Sequence, residues 1–384
     1  MERTATAWLA LEMGSGAFEI GIIFAARMLP SLLLGLVAGT LADRSDRPRQ
    51  LLAVAGATLF LMALFGWLVG GGQIQLWQLV VFSFVAGGLH VFDMPARQAL
   101  VLDTVPRAAA PRALALNALA ARIAAALGAL AAGIMLSRIG ISNSYYVIAV
   151  VYAVMGVIVT TLVVTQNRNI IATPPPFKRA FGEAVRLITE LPGVRTLFIA
   201  GLICEIFAFS YYSSLPLFNQ DVLAGGASGL GTLNAAVSIG GALAVILLSL
   251  IPSEMPRHPL LGTTFLLYGF AIVLFALTRN LLLSAAVLLV IGFCAASFDV
   301  LQQTLIQLAV PDEQRGRAVG VWILGIGSAP IGHLEMGAVA GALGVPAALL
   351  INGTLTLVSA LLLVLRAPEY RPKQWASLLN RPRR

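Results

Sequence analysis

Six ionisable side chains lie inside stretches that are otherwise apolar: Arg27, Asp93, Arg122, Glu205, Asp299 and Glu335. A charge at mid-bilayer costs about 2.5–3.5 kcal/mol even on insertion-based scales, so such groups face a cavity or a partner. Glu205 is the most isolated, because "LICEIFAF" offers no basic residue within one helical turn. Its carboxyl either exchanges protons or holds a substrate cation, or else makes a structural hydrogen bond to another helix. Arg27 and Arg122 either bind an anionic substrate group or neutralise these acids. Asp93 stands four residues before Arg97, the spacing of an ion pair on one helix face, whereas Asp299 has no such neighbour. Glu335 lies close to His333. The other two histidines, His90 and His258, are scattered, and Cys204 and Cys294 sit in apolar runs, so no metal site or disulfide framework is expected. No zinc motif, Ser/His arrangement or G-x-x-x-x-G-K-[ST] loop occurs, which argues against an enzyme and against ATP as the driver. No cofactor is expected, and a proton gradient is the expected energy source.

Such groups need elements that carry them into an apolar interior. The 384 residues are 59% hydrophobic and 11% charged, against roughly 45–50% and about 25% in soluble domains. Mean hydropathy is +0.90. Apolar runs fall at about 18–42, 51–70, 76–97, 113–136, 145–164, 197–217, 230–250, 260–277, 281–301, 318–343 and 347–365. Each is long enough, as helix rising ~1.5 Å per residue, to cross a ~30 Å hydrocarbon core. The predicted fold is all-α and polytopic, with eleven complete spans preceded by the scrap "TATAWLAL" at 4–11. A barrel of ~10-residue alternating strands is excluded.

The longest polar connection, 165–196, breaks at "TPPPF" and continues as "FKRAFGEAVRLITEL". There Phe177, Phe181, Val185, Ile188 and Leu191 share one side of a predicted helix that either lies on the inner leaflet or simply links two bundles. The net charge of +8 comes from loops, not from a nucleic-acid surface. Arg44, Arg47, Arg49, Arg107, Arg112, Arg257, Arg315, Arg317 and the basic tail mark one set of connections, and the alternate connections offer only Arg138 and Arg279. The basic set is expected to be cytoplasmic, with the C-terminus on that side.

The two halves repeat each other weakly. Residues 84–116 align with 289–321, matching Gly87 to Gly292, Gln98 to Gln303, Val105-Pro106 to Val310-Pro311 and Arg112 to Arg317. Phe92-Asp93 matches Phe298-Asp299 with a one-residue slip. Two parallel repeats of six spans are a common transporter plan. The repeat places Met1 inside the first span, so that helix is incomplete as written, which points either to a start upstream or to a variant lacking it.

"GTLADRSDRPRQ" (39–50) resembles the loop between the second and third helices of the major facilitator superfamily, with Asp43 and Arg44 matching and Asp46 replacing the usual glycine. "FDMPARQALV", "ALNALAARIAAALGALAAG" and "PDEQRGRAVGVWILGIGSAPIG" are similar to the bacterial branch that includes the enterobactin exporter and drug exporters. One departure is Leu127-Gly128 where antiporters of the family carry Gly-Pro. The resemblance implies a bundle over 1–164, a cytoplasmic linker over 165–196, and a second bundle with a basic tail over 197–384. It implies that Asp43 latches the outward-facing state by pairing with basic groups such as Arg97, Arg315 or Arg317, while Arg44 and Arg47 also set topology. The alternative is that the stretch is only a positive-inside loop. It also sets Gly35 and Gly39 against Gly337 and Gly341, two small-xxx-small patterns that allow close helix approach.

The expected function is proton-coupled export of small amphipathic drug- or siderophore-like molecules by a monomer in the bacterial inner membrane. Its partners are a small-molecule substrate, protons and the lipid bilayer, not nucleic acid. A metabolite or lipid carrier of the same fold, or a non-transporting scaffold or sensor, is the alternative.

Overall fold

The computed structural model describes residues 1–44, 46–161, 177–252, 255–311 and 314–370, with the side chains of 36–44, 107, 111, 177–180, 315 and 316 left aside. Among these residues the chain is helical throughout. The helices are α1 (Glu2–Glu12), α2 (Ala17–Arg44), α3 (Arg47–Gly70), α4 (Leu76–Asp103), α5 (Ala110–Thr161), α6 (Phe177–Glu190), α7 (Pro192–Ile203), α8 (Tyr211–Leu217), α9 (Gly226–Ser249), α10 (Arg257–Leu277), α11 (Leu281–Leu308), α12 (Arg315–Ile326), α13 (Ala329–Leu343) and α14 (Val345–Arg366). Ten helical stretches are long and apolar enough to cross a membrane. One of them, within α5, makes two passes, because Gly140 turns the chain at φ 79° and ψ 172°. That yields the eleven passes expected. The 11 residues of α1 extend only about 16 Å, roughly half a hydrocarbon core.

The repeat is physical. Helices α4 and α11 are each 28 residues long, and their ends are displaced by the same 205 positions. Gly344, between α13 and α14, adopts φ 85° and ψ 155°, nearly the Gly140 turn. Both turns lie at positive φ, where a side chain is strained. A Cβ on Gly87 would strike the backbone of Arg27 in α2, and one on Gly292 would strike the backbone of Val237 in α9. In each half, then, a missing side chain lets one helix press its backbone against the next.

Helices before α6 pack mainly on one another, as do those after it, and the two sets meet along α2–α13 and α5–α9. Both seams are made by glycines near the end of the molecule that carries the short turns. A Cβ on Gly337 would lie 2.8 Å from Ala17 O and 3.2 Å from Gly21 Cα. On the other seam a Cβ on Gly231 would lie 2.7 Å from Ala129 O and 2.9 Å from Gly133 Cα. Polar side chains bridge helices in the interior, including Gln302 to Leu197 O at 3.0 Å and Thr6 to Tyr145 at 3.2 Å. Large apolar side chains such as Phe60, Trp67, Leu127, Val157 and Leu282 point outward from the bundle. On a water-soluble protein so much exposed apolar surface would be a liability, and on a membrane protein it is the lipid face.

Two spans depart in kind from their predicted outlines. The sixth begins earlier, at Pro192, since proline is well suited to a first helical turn. It is also interrupted by wide π-turns at Cys204–Ala208 and Phe218–Val222. Predicted span 318–343 divides into α12 and α13 at Gly327–Ser328, just before Pro330. Helix α6 forms as predicted, with Ala184 and Leu187 buried and Phe181 and Val185 left exposed. Its Glu183 reaches Arg317 of α12 at 3.1 Å, and its Arg186 pairs with Glu190 at 2.6 Å.

Candidate functional site

Glu205 belongs to the first π-turn, where Phe209 N donates to Cys204 O at 2.8 Å in place of a normal helical bond. A π-turn adds a residue to the turn and re-aims the side chains beside it. Helix α13 supports this turn from behind. Gly332 has no side chain, and a Cβ there would lie 2.5 Å from Ile206 O and 2.8 Å from Glu205 O. The half-buried Glu205 carboxylate makes no hydrogen bond or ion pair among the described residues. Asp299 of α11 lies within its electrostatic reach. Gln302, three residues beyond Asp299, fills the space left by Gly201 and ties α11 to α7 through Leu197 O. The two acids are therefore held beside one another by helix packing.

Asp299 accepts a hydrogen bond from Trp322 Nε1 at 3.0 Å. Within its electrostatic reach is Arg122 of α5, whose guanidinium lies over Gly241 of α9. Among the described residues Arg122 has no hydrogen bond or ion pair of its own. Arg122 in turn neighbours Arg3 of α1, which lies near Arg27, Glu2 and Tyr212 as well. Arg27 is bonded to Glu2 at 2.5 Å, while its buried Nε has no hydrogen-bond partner among the described residues. Ionisable groups thus run in a line from α2 through α1 and α5 to α11 and the α7–α8 π-turn.

The remaining candidates lie elsewhere. Asp93 pairs with Arg97 at 2.7 Å along α4. Glu335 accepts from Asn352 Nδ2 at 2.8 Å, and the same amide reaches Ser210 at 3.2 Å, so this acid sits in a network between α13, α14 and α8. At the basic end, Arg47 pairs with Asp103 and bonds Ala99 O at 3.2 Å, while Arg317 holds Glu183. The side chains of Asp43, Arg44, Gly39 and Arg315 lie outside the described residues, and with them the expected latch. Gly35 faces Ile323 of α12, Gly337 faces Gly21, and nothing lies within 4 Å of a Cβ built on Gly341.

Sequence reasoning missed Glu2 and Arg3, which stand in what reads as a scrap before the first span. The available signal was an acid–base dipeptide opening the apolar run that follows it. Nor does spacing pick out Trp322, whose indole bonds an interior acid.

Eleven membrane passes in two repeated halves, with charged side chains turned inward at their junction, define a polytopic transporter of the major facilitator type. The chain belongs to the family of transmembrane secretion effectors, which it matches over residues 1–382. It is 25% identical over 373 residues to the multidrug efflux pump Tap of Mycobacterium tuberculosis, covering 95% of this chain and 88% of that one. It is 23% identical over 353 residues to the staphyloferrin A transporter of Staphylococcus aureus, covering 91% and 88%. In fold it is similar to the nucleoside transporter NupG, with TM-score 0.76 at 14% identity over 95% of this chain and 94% of that one. It is also similar to a bacterial homologue of the lysosomal transporter Spinster, with TM-score 0.63 at 15% identity over 96% and 91%. It is thus a multi-pass membrane transporter of small molecules rather than an enzyme.

Proposed function

We propose that this chain is a proton-coupled exporter of small amphipathic molecules, drug- or siderophore-like, working by alternating access in the bacterial inner membrane. The observation that carries this reading is the Glu205 carboxylate, set on a π-turn inside a membrane span without a bonded partner among the described residues. A structural acid would be satisfied, as Glu335 is by Asn352. An unbonded one is free to take up and release a proton as its access changes. The relatives are an efflux pump and a siderophore transporter, which supports export of such compounds.

In this reading 1–164 and 197–384 rock as two bundles joined by 165–196, with the basic connections and the C-terminus in the cytoplasm. The close glycine contacts of the two seams at the short-turn end support reading this conformation as closed toward the outside. Arg97 and Arg317 are engaged with Asp93 and Glu183. In the outward-facing state they turn to Asp43, which acts there as the latch.

The test is accumulation of a panel of dyes, antibiotics and siderophores in pump-deficient cells, with and without a protonophore. The wild-type chain should lower accumulation only while the proton gradient stands. Glu205→Gln should abolish that effect by about tenfold or more in export rate while inserting normally, a loss of ~1.4 kcal/mol per decade. Export that survives both the protonophore and Glu205→Gln would sink the proposal.

A further inference from the structure

The line of ionisable groups is unevenly balanced. Arg27 is matched by Glu2 at 2.5 Å, but Arg3 and Arg122 have no hydrogen bond or ion pair among the described residues. Asp299 lies within electrostatic reach of Arg122, and Glu205 within reach of Asp299. A carboxyl can shed its charge by binding a proton, whereas a guanidinium keeps its charge in proteins. Glu2 lies near Arg3 but is bonded to Arg27, so whenever the two acids hold protons three arginines share the Glu2 carboxylate in a low-dielectric interior, where an incompletely matched charge is expensive. On α4, His90 lies near Arg3, Arg27 and Arg97, and the acid of that helix, Asp93, is engaged with Arg97 at 2.7 Å.

An aromatic cluster stands beside these cations, with Phe24 and His333 buried and Tyr212 partly exposed. Phe24 is one turn before Arg27 on α2, and its ring lies 6.3 Å from Tyr212 and 5.6 Å from His333. Tyr212 is itself near Arg3. The buried His333 Nδ1 has no hydrogen-bond partner among the described residues.

We propose that Arg3 and Arg122 form a subsite for an anionic group, a carboxylate or phosphate, on an amphipathic ligand whose apolar body lies against Tyr212, which the buried Phe24 backs. This rests on the reading of the chain as a carrier of amphipathic molecules and assigns the sign of their charge. Two guanidiniums from α1 and α5 suit such a group, since planar donors pair with its oxygens in charge-assisted bonds. Gly241 gives the Arg122 guanidinium room, because a Cβ there would stand 3.1 Å from its Nη1.

The experiment uses the full chain in nanodiscs of zwitterionic lipid and measures anisotropy with a matched pair of probes, a fluorescent aromatic amphipath bearing a carboxylate and its methyl ester. The carboxylate should bind about tenfold more tightly than the ester, as expected for a buried charged partner. Arg122→Gln and Arg3→Gln should each erase most of that preference, and Arg122→Lys should keep part of it. Arg138→Gln, an exposed cation near the Gly140 turn, should leave it unchanged. Equal binding of acid and ester, or a preference untouched by both arginine variants, overturns the proposal. Phosphatidylglycerol added to the discs separates the sources: competition that depends on Arg122 assigns the subsite to a lipid headgroup, and its absence assigns it to the free ligand. Export in cells distinguishes the two readings, because a chain that pumps cationic dyes on the proton gradient but shows no acid preference keeps the transport function and loses this site. Arg122-dependent acid binding without any export does the reverse.

Discussion

At the scale of single residues, the interior acids separate by how they are satisfied. Glu335 shares the Asn352 amide with Ser210. Asp93 has Arg97, Asp299 has the Trp322 indole, and Glu205 has no bonded partner among the described residues. Satisfied and unsatisfied acids predict opposite consequences for mutation. Replacing Asn352 with leucine removes the donor to Glu335 and leaves buried polar atoms unpaired, which costs about 1–3 kcal/mol. Thermal unfolding of the purified protein should register the loss, and an unchanged midpoint would refute the network as a structural element. Glu205→Gln should leave the same midpoint nearly where it was, because no bond is lost. None of this is legible in spacing alone. The sequence singles out Glu205 as isolated, and correctly so along the chain, but it cannot say which helix faces it.

At the scale of elements, glycines decide which helices touch. The α5–α9 seam brings Gly133 and Gly231 so close that a Cβ on Gly231 would meet Ala129 O and Gly133 Cα below 3 Å. Gly231→Val should therefore wedge the short-turn end apart. Asn234 of α9, buried near Thr4, reports on this. In an Asn234→Cys background, labelling by a membrane-impermeant maleimide from outside should rise by about tenfold on adding Gly231→Val, a shift of ~1.4 kcal/mol in the balance of states. Unchanged labelling would mean that the seam does not gate access. The native Cys204 and Cys294 are buried and contribute little background. Small-xxx-small spacing selected Gly35, Gly39, Gly337 and Gly341, yet the backbones cross at Gly21–Gly337 and Gly133–Gly231. The spacing shows where a helix is slim and not which slim face meets another.

At the scale of the whole molecule, charge asymmetry predicts orientation. An alkaline phosphatase reporter inserted in the 71–75 connection should be active, and one inserted at 250–256 should be inactive, since basic connections are retained in the cytoplasm. The reverse pattern would invert every statement made about inward and outward access. The same connections include the contacts of Arg47 with Asp103 and of Arg317 with Glu183, which fasten the basic end of each half.

Sequence by itself determined the fold class, the eleven spans, the parallel repeat and the set of interior charges. Each of these follows from hydrophobic run length and composition, which the bilayer enforces locally on every helix. Tertiary structure alone decided that Arg27 answers to Glu2, that Trp322 bonds Asp299, that a π-turn presents Glu205, and that Arg3 and Arg122 come near one another with no hydrogen bond or ion pair among the described residues. Those outcomes depend on how each helix is rotated about its axis and which backbone it meets. Lipid accepts almost any apolar face, so the pattern along one helix leaves that rotation open until the other helices are in place.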